Sequence, residues 1–185
     1  MQDVQRIEHS GYTVRIVQDD DPPSPREWDN LGTILYTSGH YELGDKRVSA
    51  DEIDAVTQRD DVIWIPVYAF IHGSIALSAS ASICTCPWDS GQCGIIYTDV
   101  ETAKQEFGEH YSEERVREAL AGEIESFGQY LAGDVYGYIV EADGEQVDSC
   151  WGFYGQEGIE DAISQGISAA EWETRQAEET ACRNG

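Results

Sequence analysis

The stretch Gly133-Asp134-Val135-Tyr136-Gly137-Tyr138-Ile139-Val140-Glu141-Ala142-Asp143-Gly144-Glu145-Gln146-Val147-Asp148-Ser149-Cys150-Trp151 decides how this chain folds. Asp-Gly is a preferred pair for a two-residue hairpin turn, because both positions need a left-handed backbone. Counting outward from Asp143-Gly144 pairs Val140 with Val147, Tyr138 with Ser149 and Tyr136 with Trp151, all on one face. Cys150 then falls opposite Gly137 on the other face, two residues from Asp148.

The pattern on both sides extends this hairpin into a larger sheet. Ser112 is placed to cap a helix that carries Glu113 and Glu114 at its positive end. Val116, Leu120, Ile124, Phe127 and Leu131 form its apolar stripe, and Gly122 and Gly128 weaken it. This helix is expected over the hairpin, with Tyr136, Tyr138 and Trp151 in the core beneath it. After the hairpin, a helix from about Glu157 presents Ile159, Ile163, Ile167 and Ala170 inward. Upstream, strands are expected at Tyr12–Val17, Leu31–Tyr36, Val62–Ile71 and Cys93–Thr98. Alternating Ile75, Leu77, Ala79, Ala81 and Ile83 read as one further strand, hairpinned to its predecessor at His72-Gly73. Ser49-Ala50-Asp51-Glu52 fits a capping box opening a short helix with Ile53 and Val56 on one face. Asp99 is placed to cap another, ending near Gly108. Pro66 argues against a regular central strand in Val62–Ile71. The order specifies an α+β fold: a mainly antiparallel sheet with helices packed on it, in a single domain over 1–185, with 1–10 and 173–185 fraying.

Composition supports a folded chain. Of 185 residues, 41% are hydrophobic and 10% aromatic, unlike a disordered acidic chain. The net charge is −25, from 36 acidic and 11 basic residues, and only Lys46 and Lys104 are lysines. Such a coat repels itself in dilute buffer. At molar salt the screening length falls to about 3 Å and the repulsion fades. The charge therefore points to a high-salt archaeal cytoplasm. The rival reading, nucleic-acid mimicry, needs acids concentrated in a stripe, whereas here they are spread along the chain. Direct nucleic-acid binding is not expected, because there is no basic patch. Met1 is followed by polar residues, so no export signal is expected. The uncharged window Val62–Trp88 is broken by Pro66, His72-Gly73-Ser74 and several serines, so no membrane span is expected. An odd set of cysteines (84, 86, 93, 150 and 182) then reads as reduced thiols.

Four segments place Asp beside Gly or an aromatic: Trp28-Asp29-Asn30-Leu31-Gly32, Leu43-Gly44-Asp45, Cys86-Pro87-Trp88-Asp89-Ser90-Gly91-Gln92, and Asp148-Ser149-Cys150-Trp151-Gly152-Phe153-Tyr154-Gly155. Candidate binding residues are Trp28, Asp29, Asn30, Asp45, Trp88, Asp89, Ser90, Gln92, Asp148 and Trp151. Trp88, following Pro87 in a loop, is the best surface aromatic. Zinc would need four ligands, and Cys84, Cys86, Cys93 and Cys150 are weak candidates without the paired Cys-x-x-Cys spacing. A thiol enzyme would set Cys86 or Cys150 against His40 or His72. A carboxylate site could draw on Asp29, Asp45, Asp89, Asp134 and Asp148, although Asp in Gly-rich turns is ordinary turn chemistry. No cofactor is expected.

With Gln129-Tyr130-Leu131 and Gly133-Asp134-Val135-Tyr136-Gly137, these segments resemble a family of proteins from tailed viruses and mobile elements of bacteria and archaea. The resemblance covers most of residues 26–155, and its specific strings are Cys-Pro-Trp-Asp-Ser-Gly-Gln and Asp-Ser-Cys-Trp-Gly-Phe-Tyr-Gly. It implies a viral or plasmid origin and brings no activity or catalytic residue. The resulting expectation is a non-enzymatic accessory protein of a halophilic archaeal virus or plasmid, binding a host or viral protein, for example to interfere with a host defence or regulatory complex. The alternatives are a small hydrolase or nucleotide-handling enzyme using Asp89 and Asp148 with a divalent ion, and a nucleic-acid mimic.

Overall fold

The computed structural model describes residues 2–86 and 88–184. Its elements run β1 (Asp3–His9), β2 (Tyr12–Gln18), β3 (Thr33–Tyr36), β4 (Lys46–Arg47), α1 (Ala50–Thr57), β5 (Val62–Ile71), β6 (Ile75–Ser78), β7 (Ser90–Asp99), α2 (Val100–Phe107), α3 (Glu113–Ala132), β8 (Val135–Ala142), β9 (Glu145–Tyr154) and α4 (Gly155–Asn184). The α+β class is as expected. The strands, however, form two sheets where one is expected, ordered β1-β2-β8-β9 and β4-β3-β7-β5-β6. The chain divides into two compact units, residues 1–22 with 133–185, and residues 23–132. Among the described residues no helix is long and apolar enough to cross a membrane.

In the first unit the Asp-Gly turn forms where expected, with φ of 52° at Asp143 and 84° at Gly144. The register beyond it differs. Glu141 faces Gln146, but Val140 then faces Asp148, Tyr138 faces Cys150 and Tyr136 faces Phe153. Val147 and Gly152 are extra residues in two bulges. Gly152 takes φ of 89°, which a side chain would resist. The first bulge leaves Val147 exposed and turns Cys150 toward the core on the Tyr138 side. Trp151 instead lies across Gly137, where a Cβ would strike its indole ring.

The helix over this hairpin is α4, not the helix at 112–132. Its fully inward line is also not the expected isoleucines. Gly158, Ala162, Gly166 and Ala170 are buried, while Ile159, Ile163 and Ile167 flank them half-buried. Small residues let the helix sit close on the sheet, since a Cβ on Gly166 would be 2.5 Å from Val14 Cγ1. Among the described residues, both stretches expected to fray carry secondary structure. Residues 3–9 form β1, held by Asp3 to Arg15, which also reaches Glu141 at 2.7 Å. The last helix continues to Asn184, and Gly185 lies outside the described residues.

In the second unit β5 and β7 form the centre. Odd-numbered β5 residues (Ile63, Val67, Ala69) face α3, whose Val116, Leu120, Ile124 and Phe127 are buried against them. On the opposite face Trp64 packs with Ile53 and Val56 of α1, so both faces of β5 are covered. The Ser49–Glu52 capping box is complete. Ser112 Oγ accepts Arg115 N–H at the start of α3. Asp99 precedes α2 but makes no side-chain cap; its carboxylate takes Arg59 instead, at 2.7 Å. Gly128 is less a weakness than a packing device, because a Cβ there would be 3.1 Å from the Leu77 carbonyl oxygen.

Pro66 sits in the strand without breaking it. It faces Ile95 of β7, and β6 reaches along β5 only as far as Tyr68. Gly94 and Ile96 carry the bonds to β5, so Pro66 turns its nitrogen to an edge where no ladder bond is lost. The strand expected to run to Ile83 stops at Ser78. Ser78 and Ser80 hydroxyls capture the next-but-one amide hydrogens, which ends the ladder and starts a 3-10 turn at Ala81–Ile83.

Candidate functional site

Two of the four aromatic–Asp segments meet around a residue that the sequence pattern does not single out. Arg26, 9% exposed at its side chain, donates Nε and Nη2 to the two Asp45 carboxylate oxygens at 2.9 and 2.7 Å. Its Nη1 reaches Glu123 at 2.9 Å and Asn30 Oδ1 at 3.3 Å, and Nη2 also donates to the Gly32 carbonyl at 2.7 Å. Glu123 in turn accepts the amide hydrogens of Leu31 and Gly32, and Asp45 accepts that of Ile34. Burial disfavours the Arg26 charge, but Asp45 and Glu123 outweigh it and raise its pKa. Every strong acceptor and donor of this knot is thus occupied by another part of the fold. Asp45 and Asn30 tie loops together there. Trp28 and Asp29 lie exposed on the same 28–32 segment.

The third segment builds an open groove of about 430 Å³ in the same unit. The turn is made by Cys86, whose carbonyl accepts the amides of Asp89 and Ser90 and the Ser90 hydroxyl. Pro87 lies outside the described residues. Trp88 is held out of the turn at 93% exposure, the highest of the large hydrophobic residues described. The groove is also lined by Tyr41, itself 45% exposed, with Thr37, Ser38 and buried Leu43. Ala69 and Ile71 of β5 and Ser90–Cys93 of β7 complete it. Asp89 faces His72 Nδ1 at 3.3 Å, and the His72 ring stacks on Phe70. Gln92 lines the groove and its Nε2 reaches the Gly94 carbonyl at 3.3 Å.

Asp148 and Trp151 belong to the other unit. Asp148 accepts the Ser149 amide at 2.8 Å and the Tyr138 hydroxyl at 3.3 Å. Burial, then the Asp148 charge, push the Tyr138 phenol up to about 12. Asp134 similarly accepts from Tyr136. Asp148 therefore works as a local acceptor inside its hairpin.

The cysteines are free thiols. Cys93 points its Sγ at the Val67 carbonyl, 3.4 Å away, and burial, with Cys84 nearby, pushes its thiol up to about 11. Such a thiol is a poor nucleophile at neutral pH. Alkylation of the native protein by iodoacetamide at pH 8, read by peptide mass, should modify Cys93 roughly a hundredfold more slowly than exposed Cys182. Equal rates would show that the Cys93 thiol is neither shielded nor held protonated. His72, proposed as a base for a thiol, gives its ring to Asp89 and Phe70 instead. Among the described residues no three His, Cys, Asp or Glu side chains are placed to hold a metal ion together.

No family model matches the chain, and neither a curated protein nor a solved structure matches it.

Proposed function

We propose that the protein is a non-enzymatic accessory protein that acts by binding another protein through the Trp88 face, in the salt-rich cytoplasm of an archaeal host of a virus or plasmid. One observation carries the binding half of this reading: Trp88 stands 93% exposed at an open groove that a second exposed aromatic, Tyr41, also lines. A bare indole in water forgoes the burial worth about 2 kcal/mol that its surface would gain. Trp and Tyr are the residues that most often anchor protein interfaces. Several groups that could support an enzyme are engaged within the fold: Asp45 in the Arg26 knot, Asp148 in its hairpin, and the half-buried Cys93 thiol against the Val67 carbonyl. The salt-rich setting rests on the charge of −25 and the scarcity of lysine. The viral or plasmid origin rests on the sequence resemblance.

The test is a pull-down from lysates of halophilic archaeal cells kept at molar salt, comparing the protein with Trp88→Ala. Because Trp88 packs on little, the variant should keep its stability within about 1 kcal/mol. It should lose the partner almost entirely. A partner retained unchanged by Trp88→Ala would move the binding surface elsewhere.

A further inference from the structure

The floor of the Trp88 groove is an unpaired strand edge. β7 runs beside β5 for its whole length, but β3 leaves it early. Their last pair is Tyr36–Gly94, followed by a bond from Thr37 N–H to the Cys93 carbonyl at 3.0 Å. Residues Ser90–Gln92 therefore have β5 on one side and, among the described residues, no strand on the other. Ladder alternation shows which groups face the open side. Ile71 N–H donates to the Asp89 carbonyl at 2.8 Å, so Asp89 and Gly91 carry the bonds to β5. Ser90 and Gln92 turn their main-chain groups the other way. Ser90 N–H agrees with this, bonding the Cys86 carbonyl outside the sheet at 3.0 Å. A bulge at Gln92-Cys93, where both oppose Tyr68, breaks the alternation seen at Gly94. Counted from the Ile71–Asp89 bond, Gln92 turns its main-chain groups to the open side, and a bulged residue is left without a ladder partner.

We infer that this edge takes an extended, Arg- or Lys-bearing segment of a partner protein, added as a strand alongside Gln92. This rests on the reading that the protein acts by binding another protein through the Trp88 face. Main-chain bonds to an open edge and pockets for alternate side chains are the two parts of strand addition. The charge of the occupant follows from the lining. Asp89 contributes a carboxylate, Trp88 and Tyr41 contribute exposed aromatic faces, and no Lys or Arg lines the groove. Carboxylate and aromatic faces both attract guanidinium or ammonium groups. The same lining disfavours a second copy of this chain, which has only 11 Lys and Arg residues to offer against 36 Asp and Glu.

The experiment is fluorescence anisotropy with the full chain and labelled short peptides. One alternates Arg and Val, one alternates Glu and Val, and one is the Arg peptide N-methylated on alternate amides in each register. The Arg peptide should bind. N-methylation in one register should weaken it by about tenfold, the loss of one or two edge bonds. Trp88→Ala should weaken it by about fivefold. The Glu peptide should bind more weakly than the Arg peptide. Insensitivity to N-methylation in both registers would overturn strand addition, and equal binding of the Glu peptide would overturn the charge assignment. A concentration-dependent dimer in sedimentation, competed by the Arg peptide, would make a second copy the occupant and overturn the partner assignment. The underlying reading fails separately, if partner capture from lysate survives Trp88→Ala.

Discussion

Gly94→Ala is expected to lower the stability of the protein by about 3 kcal/mol, because there is no room for a methyl group between the central strands. Gly94 is buried in β7, between β3 and β5. A Cβ there would run into the Leu35 carbonyl oxygen and come within 3.0 Å of Tyr36 Cα. Both are backbone atoms of the neighbouring strand, so no side-chain rotation relieves the clash. The strands must separate, and the bonds that join β3 to β7 stretch with them. Gly91→Ala is the matched control. It lies three residues away in the same strand, its Cβ would meet nothing within 4 Å, and its change should stay within about 0.5 kcal/mol. Chemical denaturation of the two variants under one salt condition checks the pair. Equal midpoints would show that the close approach of β3 to β7 is wrong.

Arg26→Met should cost about 3 kcal/mol, nearly as much, for an electrostatic reason. The substitution keeps the length and apolar stem of the side chain but removes the cation. Asp45 and Glu123, with side chains 26% and 15% exposed, are then left as neighbouring carboxylates with no counter-charge. Breaking a buried ion pair from one side costs about 3–5 kcal/mol, and partial exposure places this case at the low end. Arg26→Lys should recover only part of the loss. A single ammonium can meet one carboxylate but cannot reproduce the two-pronged bond to Asp45 together with those to Glu123 and Gly32. Triple replacement with Asp45→Asn and Glu123→Gln should lose less than the single Arg26→Met change, since no unpaired charge remains. Thermal melts at fixed salt distinguish these outcomes.

The parts of this fold legible in sequence are those set by neighbours in the chain. The Asp143-Gly144 turn, the Ser49 capping box and the stripe of α3 each depend on residues within a few positions. The hairpin register was not legible, because the bulges at Val147 and Gly152 answer to packing across the sheet rather than to the turn. A glycine between Trp151 and Phe153 was the available signal for the second bulge. The inward face of α4 departs from its hydrophobic stripe for a related reason. Hydrophobicity favours Ile159, Ile163 and Ile167, whereas close approach to Val14 and Phe153 selects Gly158 and Gly166, which no hydrophobic stripe reveals. The role of Arg26 is not legible in sequence because its partners lie 19 and 97 residues away. Trp88 was legible as a loop aromatic. Its groove was not, since Tyr41 and the open edge of β7 join it only in three dimensions.

Binding through the Trp88 face is tested most directly by photocrosslinking in lysates of halophilic archaeal cells at molar salt. A photoreactive phenylalanine derivative replaces Trp88 in one sample and Trp172 in another, Trp172 being a second exposed indole, on α4, at 52% exposure. The expected result is one discrete adduct from position 88 and none from position 172. Adducts of equal yield from both positions, or from 172 alone, would contradict a binding role for the groove.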